Sequence, residues 1–473
     1  MVFSSAVFLF VFFPLMLVLY FMPGFSKDPK KDMAKKNLVL CLASLIFYAW
    51  GEPVYIVLML ISVFFNYNIG IDMENHKNSR KKRKSLLIFS VAFNLFMLGF
   101  FKYSGFLVEN VNAITGKEIE FDGLPLPVGI SFYTFQILSY VIDVYKGEVK
   151  AQKNIVAFGA YISMFPQLIA GPIVQYSDID RQLTERTVTI EKFYDGVIYF
   201  IRGLGKKVLF ANTIGAVYTQ VVSGDIASLS VVTSWLAVIC YTLQIYFDFS
   251  GYSDMAVGLG KMFGFEFVQN FNFPYKATSI KDFWSRWHIS LSSWFRDYVY
   301  IPLGGNRKGT KRTIINTLIV WSLTGLWHGA AWNFIAWGMF YGVLLIAEKY
   351  LLQNWLKKIP TVVKYMGTMA VVMIGWVFFA SESMGDAVTL IGSMTGFGGS
   401  FIDSQAKYLL SENFFLIFVM SLSATGVFEL VSNKYKGYRN GKIFEGIGYV
   451  AIFALCIAYL ISETYNPFLY FRF

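Results

Sequence analysis

The chain has 473 residues, 56% of them hydrophobic and only 15% charged, against about 25% charged in a soluble globular protein. A net charge of +11 would suggest nucleic acid as partner of a soluble protein. Here the basic residues sit in short loops between long apolar runs, so the expected partner is the anionic leaflet of a bilayer, with no nucleic acid. Cys41, Cys240 and Cys456 lie in apolar stretches without metal-like spacing, which predicts neither a disulfide framework nor cysteine catalysis.

A spanning helix needs about 20 apolar residues. Candidate runs in chain order are 2–23, 37–50, 53–71, 85–107, 127–145, 206–222, 229–250, 313–328, 332–350, 361–380, 412–432 and 443–463. Some are short, so the expectation is about ten to twelve transmembrane helices. The first run has no basic segment before it and no small-residue cleavage site, and reads as a retained helix. The break at Gly51-Glu52-Pro53 predicts a tight hairpin.

Lys and Arg concentrate in 27–36, 77–84, 146–153, 307–312, 357–364 and 434–442, whereas 108–126 and 381–411 are poor in them and carry Glu109, Glu118, Glu120, Asp122, Glu382, Asp386 and Asp403. The two kinds of loop alternate along the runs. The positive-inside rule then puts the basic loops in the cytosol and both termini outside a cell membrane. Two stretches resist spanning. Residues 154–176 are broken by Pro166, Gly171 and Pro172, and 251–305 are mixed and rich in Gly, Asn and Ser. Both are expected to be re-entrant or surface-lying, since non-helical backbone at membrane depth must be buried in protein or line water. No internal repeat or soluble domain is visible, so 1–473 is read as a single membrane domain.

Chemistry must come from few residues. There are three histidines, and His76 precedes the run Arg80 to Lys84 as a surface residue. His328 closes an apolar run in Trp321-Ser322-Leu323-Thr324-Gly325-Leu326-Trp327-His328-Gly329. An ionisable group in a membrane is costly and defaults to function, and a neutral imidazole can act as a base at neutral pH. The bland alternative is an interhelical hydrogen bond. Gly325 and Gly329 allow close approach of another helix.

His288 lies in a stretch where Trp284, Trp287, Leu291, Trp294 and Tyr298 recur at helical spacing, with Ser285, His288 and Ser292 on a polar stripe. This predicts one amphipathic helix at the cytosolic face, opened by a capping box of Ser279 and Asp282 and closed near Pro302. Its bland alternative is an interfacial anchor with an incidental histidine. Asp248 and Asp254 invite a cation or proton relay, but the reading preferred is that they satisfy local donors where the helix breaks. No metal site is completed by a nearby ligand. Gly304-Gly305-Asn306-Arg307-Lys308 could meet donor phosphates, a weak signal alone.

Several stretches together carry a specific resemblance. They are Val2 to Ser5, Leu126 to Gln136, Phe165 to Ile173, Tyr246 to Asp254, Phe283 to Trp294, Tyr300 to Asn306, Leu326-Trp327-His328-Gly329-Ala330, and the ending Pro467 to Phe473. The sequence resembles the membrane-bound O-acyltransferase (MBOAT) family, in its alginate O-acetyltransferase, AlgI-like branch. The resemblance implies an all-α integral membrane bundle whose essential histidine matches His328, with a second functional histidine at His288. Ser285, Ser292, Asn306 and Trp327 are taken as substrate-binding. It further implies acetyl-CoA as donor substrate with no bound cofactor, an extracytoplasmic SGNH-type acetyltransferase as partner, and an exported polysaccharide as acceptor. A DltB-like D-alanyl transferase is the rival within the fold. A polysaccharide transporter is the rival outside it, although no paired repeat of the transporter kind is present.

Overall fold

The structure is a computed structural model, and it describes residues 1–22, 28–121, 123–397, 399–430, 439–462 and Leu469. Among these the regular elements are helices alone. Among the described residues seven helices are long and apolar enough to cross a bilayer: Pro29–Gly51, Ile56–Asn75, Arg80–Thr115, Val231–Met262, Trp332–Leu356, Thr361–Ala380 and Ile443–Ser462. Other apolar runs of the sequence form helices that are shorter or more polar. The chain groups into two compact units, residues 1–200 with 253–268, and residues 201–252 with 269–473.

The first unit opens with α1 (Phe13–Phe21), which continues a π-helical turn at Phe8–Phe12. Helix α2 (Pro29–Gly51) starts with Asp28 accepting from Lys30 N at 3.0 Å, and Lys30, Lys31, Lys35 and Lys36 lie along its first turns. The predicted break at Glu52 leads into α3 (Ile56–Asn75). Helix α4 (Arg80–Thr115) has 36 residues. At 1.5 Å per residue it is about 54 Å long, well beyond a hydrocarbon core of about 30 Å. Glu109, expected in a loop, is therefore on this helix. Helices α3 and α4 are tied by Ser90 Oγ and Asn94 Nδ2, which donate to Asn66 Oδ1 at 2.6 and 2.9 Å. Interhelical polar bonds of this kind hold helices together where apolar burial gives no bias.

Helix α5 (Ile130–Lys146) is buried along most of its length. The stretch 154–176 forms the short α6 (Ile155–Ser163) and α7 (Phe165–Leu168), both interior. The non-spanning backbone there is buried in protein, with Gln167 Nε2 donating to Tyr161 O at 2.8 Å. Gly129, at φ +76°, packs so close to Leu168 O that a Cβ would sit 2.8 Å from it. Two of the family-like stretches thus meet backbone to backbone. Helix α8 (Tyr176–Thr184) leads to Arg186, which donates to Asn37 Oδ1 at 2.7 Å, Tyr20 Oη at 3.0 Å and Phe263 O at 3.2 Å.

Helix α9 (Ile190–Gly205) starts in the first unit and ends in the second. It runs through a π-helical segment, Lys206–Asn212, into α10 (Thr213–Val222), so the run expected to begin at 206 is part of a longer helical rod. Helix α11 (Val231–Met262) continues straight through Tyr246 to Asp254. No helix break exists there, because the Gly and Ser residues of that stretch face close-packed neighbours. A Cβ on Gly251 would lie 2.8 Å from Gly203 O. Asp248 instead pairs with Lys207 at 2.5 Å, both side chains almost wholly buried, and accepts from Leu469 N at 3.0 Å.

The second unit continues with α12 (Ile280–Trp284), α13 (Ile289–Phe295), α14 (Gly309–His328) and α15 (Trp332–Ala347). After a short α16 (Gln353–Leu356) come α17 (Thr361–Ala380), α18 (Met384–Thr395), α19 (Ser404–Ala424) and α20 (Arg439–Ser462). The basic segment 434–442 lies outside the described residues up to 438, and so does the ending Pro467 to Phe473 apart from Leu469.

Helices α14 and α15 form a hairpin whose closeness is set by glycine. A Cβ on Gly325 would fall on the Phe334 carbonyl, and one on Gly338 on the Trp321 carbonyl. Gly338→Ala should therefore destabilise the solubilised protein by about 1–3 kcal/mol through overpacking. Gly342→Ala, whose Cβ would meet Trp321 Cβ at 3.1 Å, should cost less. Thermal unfolding in detergent checks the order, and equal shifts would mean the hairpin has slack at Gly338. The Lys207–Asp248 pair gives a second expectation. Lys207→Met should cost about 3–5 kcal/mol by stranding a buried carboxylate, and adding Asp248→Asn should recover most of the loss in the same assay.

Candidate active site

Half of the predicted capping box is present, because Asp282 turns to the N–H of Thr278 and not to that of Ser279. Ser279 Oγ accepts from Asp282 N at 3.1 Å and Asp282 Oδ2 accepts from Thr278 N at 3.2 Å. Glu348, at the end of α15, adds a carboxylate that accepts from Ile280 N at 2.7 Å. An acid at a helix N-terminus satisfies otherwise orphaned donors. The single helix expected over 283–298 does not form, however. Helix α12 stops at Trp284, and α13 begins after His288, which stands at φ +44° in the left-handed region. Among the described residues only one other non-glycine, Phe273, has such a φ. A β-carbon there is strained, and strain of this kind collects at functional sites where surrounding bonds enforce it.

Those bonds come from the segment before α12. Asn270 O accepts from Ile289 N at 3.0 Å, and Asn272 N donates to Arg286 O at 2.9 Å. Asn270 Oδ1 accepts from Ser290 N at 3.2 Å and Ser290 Oγ at 2.9 Å. Arg286 is held by Asp282 at 2.7 Å. The kink turns the His288 side chain fully inward, at 0% exposure, with Phe249 edge-on at a ring-centroid distance of 4.7 Å. Burial pushes the pKa of this imidazole down to about 3, so it is neutral at ordinary pH.

His328 is the last residue of α14, at 5% exposure. Its ring is flanked by Trp337 at 5.0 Å, Phe379 at 5.1 Å and Trp327 at 4.9 Å. The two histidine rings lie 6.4 Å apart, and Trp327 is 5.9 Å from His288. A second aromatic layer of Trp284, Trp321, Tyr341 and Trp376 packs on Trp337. The interior around the pair is therefore aromatic and stiff, a setting in which hydrogen bonds to the imidazoles act at low local dielectric.

The other candidate residues divide. Trp327 belongs to the cluster. Ser285 is exposed and donates to Asp282 O at 2.7 Å, so it does not share a face with buried His288. Ser292 is half-buried and reaches Trp284 O at 3.5 Å. Asn306 sits on an exposed turn, accepting from Tyr300 Oη at 2.6 Å and Lys349 Nζ at 3.2 Å. His76 caps α3 and lies 2.7 Å from Lys82 Nζ. Among the described residues no group of three or more His, Cys, Asp or Glu side chains is placed to hold a metal ion.

Sequence reasoning missed Asn270, Phe249, Trp337 and Phe379. The aromatic three look like ordinary apolar helix residues, and nothing local marks them. Asn270 carried a faint signal, in the Asn and Phe alternation of Gln269-Asn270-Phe271-Asn272-Phe273 between two helices.

Residues 49–385 match the family described as MBOAT, membrane-bound O-acyltransferase. A probable alginate O-acetylase AlgI of Pseudomonas putida is 38% identical over the whole of both chains. A peptidoglycan O-acetyltransferase of Helicobacter pylori is 34% identical, over 84% of this chain and 80% of its own. A teichoic acid D-alanyltransferase of Bacillus subtilis is 30% identical over 49% of this chain and 60% of its own. With the apolar helices, these place the chain in a membrane, and it belongs to the membrane-bound O-acyltransferase family as an O-acyltransferase.

Proposed function

We propose that this protein moves an acetyl group from cytosolic acetyl-CoA across the cell membrane for O-acetylation of an exported, alginate-like polysaccharide. An extracytoplasmic SGNH-type acetyltransferase would receive the group and pass it on. The observation that carries the reading is the pairing of His288 and His328, 6.4 Å apart in an aromatic interior. The first residue is set there by a strained kink and the second by a glycine-tight hairpin. Acetyl is favoured over D-alanyl because the acetyltransferase relatives match along most or all of the chain, the D-alanyl relative along half.

In this mechanism His328 is the general base. It takes the proton of the acceptor hydroxyl, whose oxygen attacks the thioester carbonyl carbon, and then delivers that proton to the departing thiolate. The reading requires the acceptor to reach His328, the one of the two histidines with residual exposure. His288, kept neutral by burial, places the thioester by hydrogen bonding and carries no charge. The positive-inside arrangement puts the basic turns that open α2, α4 and α14 on the donor side, with both termini on the acceptor side.

His328→Ala should lower acetyl transfer by about 10²–10⁴-fold, the contribution of a positioned base, while the protein still accumulates in membranes. Radiolabelled acetyl-CoA, purified protein and acceptor measure it, and wild-type turnover would remove the mechanism. His288→Ala should instead act mainly on KM for acetyl-CoA, by about tenfold or more, with a smaller fall in kcat. A kcat collapse equal to that of His328→Ala would make His288 part of the proton-transfer step. Loss of D-alanine, and not acetyl, from surface polymers of a deletion strain would reassign the acyl group.

A further inference from the structure

Asn270 is 1% exposed, and its carboxamide is oriented by a donor that cannot be reversed. Ser290 N points at one of its two terminal atoms, 3.2 Å away, and Ser290 Oγ lies 2.9 Å from the same atom. A backbone N–H only donates, so that atom must be the oxygen, and the amino group Nδ2 lies on the other side. Nδ2 is buried and has no acceptor among the described residues. A buried donor left without an acceptor is costly and calls for an explanation.

Its position supplies one. Asn270 O holds Ile289 N at 3.0 Å, directly after His288. The next residue, Phe271, packs on Phe249 at 4.9 Å, and Phe249 packs on His288 at 4.7 Å. The unsatisfied donor thus belongs to the same rigid turn that presents the imidazole. Preorganised N–H groups without a ground-state partner are what an acyl-transfer site needs where negative charge develops.

We propose that Asn270 Nδ2 is an oxyanion donor for the acyl transfer. This rests on the function proposed above and assigns it a further catalytic residue. The acceptor oxygen bonds to the thioester carbonyl carbon while its proton passes to His328. The carbonyl π pair moves onto the acyl oxygen, which Nδ2 hydrogen-bonds. The pair then returns, the C–S bond breaks, and the thiolate leaves with the proton from His328. Asn270 therefore has two jobs on one amide, with the oxygen holding the His288 turn and the nitrogen stabilising the intermediate.

The test separates the two. Asn270→Asp keeps Oδ1 and its bonds to Ser290 but removes the donor. It should lower kcat for acetyl-CoA by about 10²–10³-fold, with little change in KM, and because it strands a buried carboxylate it should also lower the thermal unfolding temperature. Ser290→Ala removes one bond to Oδ1, leaves the donor, and should lose far less. Wild-type kcat in folded Asn270→Asp, or an equal loss in Ser290→Ala, would overturn the proposal. Should Asn270→Asp not accumulate, infrared spectra of carbonyl-labelled acetyl-CoA bound to the His328→Ala protein decide. A carbonyl band shifted to lower frequency than in free acetyl-CoA supports the donor, and an unshifted band overturns it. An active His328→Ala protein would sink the base assignment instead, so the two failures read differently.

Discussion

The constraint on which the second unit depends is that two imidazoles must be presented, inward and close together, from backbone that cannot be solvated. Each meets it differently. His328 is carried on the end of a helix, and the helix is fixed because Gly325 and Gly338 let α15 lie against its backbone. His288 is carried on a turn whose left-handed φ is enforced by Asn270, Asn272 and Arg286. A helical placement for His288 would have put it on the same stripe as Ser285, which is exposed. The kink turns an interfacial residue into an interior one.

Aromatic packing then converts these two backbone solutions into one site. The rings around His328 and His288 are edge-on or tilted at centroid distances between 4.7 and 5.9 Å, the range in which ring quadrupoles attract. Such rings lose little rotamer freedom on burial because they have only two χ angles. They fill the interior around the two imidazoles with side chains that carry no charge. Trp337, Trp376 and Tyr341 are interior residues, so part of the 19% aromatic content serves packing around this site and not an interfacial belt.

Much of this was legible in the chain, and the limits have physical causes. The long apolar runs, the break at Glu52, the N-cap at Ser279 and the small-residue contact at Gly325 all depend on local chemistry, and all appear, although Asp282 turns to Thr278 N and leaves the capping box half made. The helix across His288 was misread because Trp284, Trp287, Leu291 and Trp294 keep helical spacing through the kink. Periodicity reports which residues are buried, and a tight turn between two short helices buries them just as well. The break expected at Asp248 failed for the converse reason. Gly251 and the serines beside it look like helix breakers in isolation, but they are where α11 packs closely, and Lys207 supplies the carboxylate's partner from 41 positions away in sequence.

The division of labour proposed for the two histidines rests on the same contrast. A base must change protonation state in each cycle, so some solvent or substrate has to reach it, and His328 retains a trace of exposure while His288 has none. In the proposed mechanism an imidazole held neutral by burial serves as a fixed hydrogen-bonding group. Its strained backbone then has a purpose, because strain is tolerable where it buys position, and the asparagine that enforces it is left with one amide face spoken for and the other open. In the proposed mechanism the group that moves a proton is separate from the groups that only hold the reacting carbonyl, and all of them are neutral side chains. That is the arrangement a membrane interior permits most readily, since charges there are the costly alternative.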